Sequence, residues 1–223
     1  MAQNYFRYVP NFDYISRLPN ENSFGDYTEV KNLFKRVKLR PEIFNDGTYF
    51  QRYQVIDGER PDFIANKIYG DSKYDWVVLL SNNIINWETE WPLSNSSFYN
   101  YLILKYGSEE NIYSAHHYET REVKNYANKV VCPKGLEVPQ NFSFVFFDPN
   151  TKEERIATQI TDEITNYMYE ERLQDQKRQI YVLKTKYLPM VIDDMENLLP
   201  YKEGSSQYVS RMLVKGEDSR LYS

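Results

Sequence analysis

The sequence predicts an α+β fold: a strand–helix–helix–strand core, preceded by an extended N-terminal arm and followed by an added strand-rich region and C-terminal helices. Three observations predict it. Tyr49, Gln51, Tyr53 and Val55 alternate with Phe50, Arg52 and Gln54, the period of two that a half-buried strand shows. Two apolar stripes of helical spacing follow, one through Ile64, Ala65 and Ile68 and one through Trp76, Leu79, Leu80 and Ile84. Farther on, between residues 112 and 157, short aromatic and β-branched runs are broken by turn signals.

Taken in chain order, residues 1–45 read as an arm. Tyr5, Phe6, Tyr8, Phe12 and Tyr14 are scattered through it, and Pro10, Pro19 and Gly25 interrupt any long element. A short helix is expected over Tyr27–Val37, where Val30, Phe34 and Val37 fall at i, i+4 and i+7. Lys31, Lys35, Arg36 and Lys38 are interspersed with them. Such a run is ordinarily a solvated face, and its sharper use is contact with an acidic partner. Residues 46–107 hold the core motif. Asp57-Gly58 turns the chain, Pro61 and Asp62 suit a first helical turn, and Gly70 suits the position just past a helix end. Asp71 or Ser72 caps the second helix, and Asn82-Asn83 ends it. Trp87–Trp91 reads as extended. A helix is expected over Ser96–Tyr106, capped by Ser94 or Asn95 and stopped by Gly107.

Residues 108–160 read as short strands at Ile112–Tyr118, Lys129–Val131 and Phe142–Phe147, the last turning at Asp148-Pro149-Asn150 toward Arg155–Thr158. Residues 161–199 read as a helix from Thr161, a strand (preferred over a continued helix) from Arg178 to Leu183, and a last amphipathic helix. That helix carries Leu188, Val191, Ile192, Met195 and Leu199 and is capped by Thr185. Residues 200–223 have few apolar anchors and read as a tail that a partner would order.

Composition narrows the function. With 27 basic and 32 acidic residues the formal net charge is −5, which argues against a dedicated nucleic-acid or anionic-membrane binder. No run of eighteen apolar residues is present, so no membrane span is expected, and the first ten residues lack the apolar core of a secretory signal. Cys132 is the single cysteine, so no internal disulfide can form, and it reads as a small apolar residue. The chain holds 21 Tyr, 12 Phe and 3 Trp in a polar background, with a mean hydropathy of −0.70. Tyrosine offers contact area with a polar tip, so the excess favours protein interfaces over an all-aromatic core.

Constellations for catalysis are missing from the pattern. His116 and His117 are adjacent, and on a regular strand they would face opposite ways and share no metal. Asp193-Asp194, Glu153-Glu154 and Glu170-Glu171 are sequence neighbours on expected solvated faces, not a raised and an ionised carboxyl in one cleft. No glycine-rich phosphate loop or nucleophile elbow occurs. No enzyme, cofactor or metal is therefore expected. Asp57, Gly58, Glu59 and Arg60, with Asn82 and Asn83, would flank a shallow groove in a strand–helix–helix–strand unit, where an aspartate and amides could meet a glycan. The same residues are routine turn chemistry, the weightier alternative.

Tyr53-Gln54-Val55, Gly58-Glu59, Ile64-Ala65, Ile68-Tyr69-Gly70, Trp76, Leu79 and Asn82 resemble the LysM pattern, giving a LysM-like βααβ core. Its second strand falls either at Trp91-Pro92-Leu93 or, after a long insertion, at Gly135–Pro139. More widely, Glu59–Ile84 resembles the small baseplate wedge subunit fifty-three of T-even-type contractile-tail phages. The likeness extends through Asn11–Tyr14 and Asn32–Arg36, on to Phe98–Tyr106, and more weakly over Arg178–Leu199. It implies a structural subunit of the virion tail baseplate, present in several copies and assembled in the host cytoplasm. Its implied partners are other wedge proteins, the sheath-initiator protein and the central hub. The candidate contact residues are Tyr5, Phe6, Tyr8, Phe12, Tyr14, Phe34 and Arg36. A LysM-type peptidoglycan-binding module is the alternative.

Overall fold

A computed structural model describes residues 4–15, 27–204 and 207–216, as a mixed α+β protein. In chain order its elements begin with α1 (Tyr5–Tyr8), β1 (Asn11–Ile15), β2 (Tyr27–Lys31), α2 (Pro41–Phe44), β3 (Phe50–Gln54), α3 (Pro61–Tyr69), α4 (Asp75–Ser81) and α5 (Trp87–Glu90). There follow α6 (Asn95–Tyr106), α7 (Glu109–Ile112), β4 (Ala115–Thr120), β5 (Val123–Lys124), β6 (Val130–Cys132), β7 (Glu137–Val138), β8 (Phe144–Asp148), β9 (Glu153–Ala157), β10 (Thr161–Thr165) and α8 (Asn166–Arg178). The chain closes with β11 (Gln179–Leu183), α9 (Leu188–Leu198), β12 (Tyr208–Ser210) and β13 (Leu213–Lys215). It divides into two compact units, one of residues 1–91 with 179–223 and one of residues 92–178.

The first unit is organised on β3. Its partner is β11, antiparallel, with Tyr53 opposite Ile180 and Phe50 opposite Leu183. β3 therefore pairs neither with residues 91–93 nor with 135–139. Trp91 is a buried side chain beyond α5, and Glu137–Val138 pairs with β4. The partner of β3 is the strand expected at Arg178–Leu183, and in sequence the second unit lies between Trp91 and β11. Hydrogen-bond partners decide strand order, and no local pattern in the sequence marks which run β3 will choose.

Around this pair α3 and α4 form as their residues dictate. Pro61 occupies the first helical turn, where no amide hydrogen is needed. Gly70 ends α3 in the left-handed region at φ 79°, its amide donating to the Asn66 carbonyl. Asp71 accepts from the Lys73 amide at 2.9 Å and starts a 3₁₀ turn that leads into α4. Ile64, Ala65 and Val78 bury against Val55, Trp91, Ile180 and Val182. Trp76, Val77 and Leu80 bury with Tyr8, Val37, Leu39, Ile43, Phe50 and Leu183, and with Leu188, Val191, Met195 and Leu199 of the last helix and its C-terminus. Ile68 is only half-buried.

Several local expectations are overturned. Tyr27–Lys31, the start of the expected helix over Tyr27–Val37, is strand β2, antiparallel to β1 with Asn11 opposite Lys31. Thr28 and Val30 favour that pairing, and the helical spacing of Val30, Phe34 and Val37 is coincidental. Val37, Leu39 and Ile43 are core residues. Trp87–Glu90 is a helical turn, because the Asn86 side chain accepts from the Glu88 amide while Glu90 accepts from the Ile85 and Asn86 amides. Thr161–Thr165 is a strand paired with β4, and the helix starts only at Asn166. Asp162 and Glu163 imitate a helical first turn, but β-branched Thr161, Ile164 and Thr165 pair instead. Helix α9 lacks a side-chain cap at Tyr187, and Thr185 donates to the Ile68 carbonyl. In the expected tail, β13 runs parallel to β1 and completes the sheet β12-β13-β1-β2.

The second unit holds the sheet β10-β4-β7, the ribbon β5–β6 and the hairpin β8–β9, with α6, α7 and α8. Ser94 caps α6 by accepting from the Ser97 amide, and Gly107 ends it at φ 81°. Ile112 ends α7, so the strand foreseen from that residue begins only at Ala115. Glu170 of α8 is buried yet satisfied: the Lys105 ammonium and the Tyr106 hydroxyl donate to it at 2.5 and 2.9 Å. That hydrogen bond raises the Lys105 pKa above its ordinary value, against the opposing effect of burial.

Candidate functional site

The aromatic residues of the N-terminal segment divide into core and surface. Tyr8 is buried with its ring 5.7 Å from that of Trp76, so it serves the core. Burial raises its phenol pKa, with the Glu196 carboxylate adding to the effect. Tyr5 is half-buried against the same indole, at 6.3 Å. Phe12 and Tyr14 meet edge to face on β1. Phe6, by contrast, is 57 % exposed.

A second exposed group is built by the turn after β2. The Leu33 amide donates to the Lys31 carbonyl, the Lys35 amide to the Asn32 carbonyl, and the Asn32 side chain accepts from the Phe34 amide. The Asn32 amide group in turn donates to the Tyr201 hydroxyl at 2.8 Å. This tight turn leaves Leu33 70 % and Phe34 93 % exposed. The turn thus holds two large apolar side chains outward side by side in sequence.

Tyr5, Phe6 and Leu33 help frame a groove of about 240 Å³. Val9, Trp76, Leu79, Leu80, Ile84 and Ile85 complete its apolar lining, and among the described residues Lys35 and Arg36 are its charged ones. Lys35 donates to the Leu199 and Pro200 carbonyls at 2.7 and 3.2 Å and lies over the Tyr201 ring. Burial, and then the like charge of Lys202, lower its pKa. Arg36 donates to the Asn83 side-chain oxygen at 3.2 Å. Lys31, nearby in sequence, donates to the Val9 carbonyl at 2.9 Å.

The turn residues singled out for a glycan groove lie after β3 and at the C-terminal end of α4. Gly58 takes φ 72° in the turn after β3, with Asp57 exposed beside it. Glu59 accepts from the Tyr53 hydroxyl at 2.7 Å and the Ile56 amide at 3.1 Å, and its carbonyl accepts from the Trp91 indole. Arg60 pairs with Asp62 at 3.1 Å. Asn82 donates to the Val78 and Tyr181 carbonyls and accepts from the Tyr181 amide, each at 2.8 Å. Asn83 adopts φ 54° and meets Arg36, so one residue from each candidate set is brought together. Sequence reasoning had Lys35 among the cations suited to an acidic partner but missed Leu33 and Ile85. The signal for Leu33 was the interleaving of cations and large apolar residues over residues 31–36.

His116 and His117 are not separated as a regular strand would place them. The register of β4 on β10 shifts there, with His117 opposite Ile164 and Ala115 opposite Thr165, so His116 is the extra residue of a bulge. Their Nδ1 atoms lie 2.8 Å apart, and His117 Nε2 lies 3.0 Å from Glu119, which also accepts from Arg172 at 2.5 Å. Among the described residues, no group of three or more His, Cys, Asp or Glu side chains is placed to hold a metal ion. Among them too, no helix is long and apolar enough to cross a membrane.

The family model for base plate wedge protein 53 matches residues 5–195, and the chain belongs to that family of phage baseplate components. Its place is therefore the baseplate of the virion tail. No curated protein matches the sequence.

Proposed function

We propose that this chain is a non-enzymatic structural subunit that joins neighbouring wedges around the central hub through protein–protein contacts. The family supplies the baseplate role, and the groove with Leu33 at its lip, beside the exposed Phe34, carries the contact reading. An exposed apolar surface of that kind is costly in water and is relieved when a partner covers it. The partners are other wedge proteins, the sheath-initiator protein and the hub, with several copies per baseplate assembled in the host cytoplasm. We read β3, α3, α4 and β11 as a LysM-type module that has taken an insertion before its second strand. In it the Asn82 amide binds Tyr181, which favours a scaffolding use over glycan capture.

Co-expression with the other baseplate proteins of the same phage, followed by size-exclusion chromatography, tests this. Co-elution with a wedge neighbour is expected, weakened by Leu33→Ser with Phe34→Ser. Failure of the wild-type chain to co-elute with any of them would sink the proposal. Binding to purified peptidoglycan that Asp57→Ala abolishes would favour the alternative.

A further inference from the structure

We infer that the groove between α1, the turn after β2 and the C-terminal end of α4 receives an acidic peptide segment carrying one large apolar side chain from a neighbouring baseplate protein. The inference rests on the contact reading above and adds the chemistry of the partner. Shape and charge both point there. The cavity of about 240 Å³ is walled by Tyr5, Phe6, Trp76 and Ile84, enough for one aromatic or branched aliphatic anchor and too small for a packed helix face. Its exposed lip is apolar, with lining residues Ile85 71 % and Leu33 70 % exposed.

The charge argument turns on how the cations are spent. Lys31, Lys35 and Arg36 donate to the oxygens of Val9, Leu199, Pro200, Asn83 and Ile84, all neutral acceptors. None of the three forms an ion pair among the described residues, whereas Arg40 pairs with Asp194 and Arg60 with Asp62. Lys202 adds a further positive charge close enough to disfavour the Lys35 ammonium. Glu90 puts one carboxylate at the Ile85 lip, where it accepts from the Ile85 and Asn86 amides and keeps its charge. Against it stand Lys35, Arg36 and Lys202, which give the far edge of the slot a net positive charge in a chain of net charge −5. A carboxylate arriving beside Arg36 gains charge-assisted hydrogen bonds without breaking an existing ion pair. A basic partner would meet like charge.

The test titrates the full-length protein against two fluorescein-labelled peptides of about a dozen residues, both with a central Phe, flanked by Glu and Asp in one and by Lys in the other. The acidic peptide should bind in competition with its unlabelled form, and binding should weaken steeply between roughly 0.05 and 0.5 M salt. Arg36→Glu should reduce its affinity by about tenfold or more. Leu33→Ser, at an exposed site where folding is not at stake, should reduce it as well, and circular dichroism should stay unchanged in both. Equal binding of the lysine peptide, or affinity indifferent to both substitutions, would overturn the inference. So would concentration-dependent dimerisation that Arg36→Glu abolishes, since the occupant would then be a second copy. Co-elution with wedge proteins alongside failure of the peptide would strike only the inferred chemistry. Peptide binding without co-elution would strike only the baseplate contacts.

Discussion

The side chain of Asn82 stands in for a strand beside Tyr181: its carbonyl oxygen accepts from the Tyr181 amide and its amide group donates to the Tyr181 carbonyl, both at 2.8 Å. The second hydrogen of the same amide goes to the Val78 carbonyl, closing α4 at its C-terminus. One residue thereby fastens the end of the helix pair to the edge of β11, across the whole inserted unit.

Asn82→Ala leaves the Tyr181 amide and carbonyl without these partners, and a loss of about 1–2 kcal/mol is expected. Asn82→Asp should not rescue it. The acceptor survives, but the second oxygen faces two carbonyls, and a negative charge at a helix C-terminus is unfavourable. All three tryptophans, Trp76, Trp87 and Trp91, lie in the first unit, so urea denaturation followed by tryptophan fluorescence reports on it directly. Wild-type stability of Asn82→Asp would show that the donated bonds contribute nothing.

Core truncations should separate two neighbours on α3. Ile64 is fully buried among Val55, Val78, Ile180 and Val182, and Ile64→Ala should cost about 3 kcal/mol or more. Ile68 is half-buried and packs on the same cluster from its margin, so Ile68→Ala should cost clearly less. Trp76→Ala removes the ring that Tyr5 and Tyr8 pack on, and should match or exceed Ile64→Ala. The same fluorescence-detected titration ranks the first two variants, and circular dichroism serves for the third, where a reporting indole is lost.

These core positions were legible because period and turn chemistry agree locally. Pro61, Gly70 and the buried Ile64, Ala65, Trp76 and Leu80 sit as the spacing predicts, whereas α4 ends at Ser81 before Ile84, and Val77 and Val78 are buried instead. The misassignments share a different cause. Tyr27–Lys31 and Thr161–Thr165 become strands because β1 and β4 offer them edges, a choice made by residues far away in sequence. The antiparallel match of β3 with β11 spans the entire inserted unit, and no local signal encodes such a distance. The candidate site was half legible for the same reason. Cations interleaved with Leu33 and Phe34 are visible in the sequence, whereas Ile85 and Trp76 join them only through folding.

Gly70→Ala isolates a backbone effect. A Cβ built at this position meets nothing within 4 Å, so no clash contributes. What remains is the cost of holding an L-residue at φ 79°, about 1 kcal/mol. Gly70→Asn should cost less, since asparagine tolerates the left-handed region better than alanine. Melting temperatures of the two variants provide the comparison, and equal destabilisation would argue against a conformational origin.

Acid sensitivity of the second unit should trace to Glu119. Hydrogen bonding from Arg172, and then from His117, lowers its carboxyl pKa below the ordinary value, with burial acting in the opposite sense. A carboxyl whose folded pKa is depressed binds its proton more readily in the unfolded chain. Its stabilising contribution is therefore fully present above the unfolded value of about 4.5 and is lost as pH falls through the folded one. Glu119→Gln should be less stable than wild type at pH 6 to 7, and the two curves should converge as the pH approaches roughly 3. Thermal melting of both proteins by circular dichroism across that range measures the gap. A difference that stays constant down to the lowest pH would assign the loss in Glu119→Gln to packing and not to the carboxylate's charge.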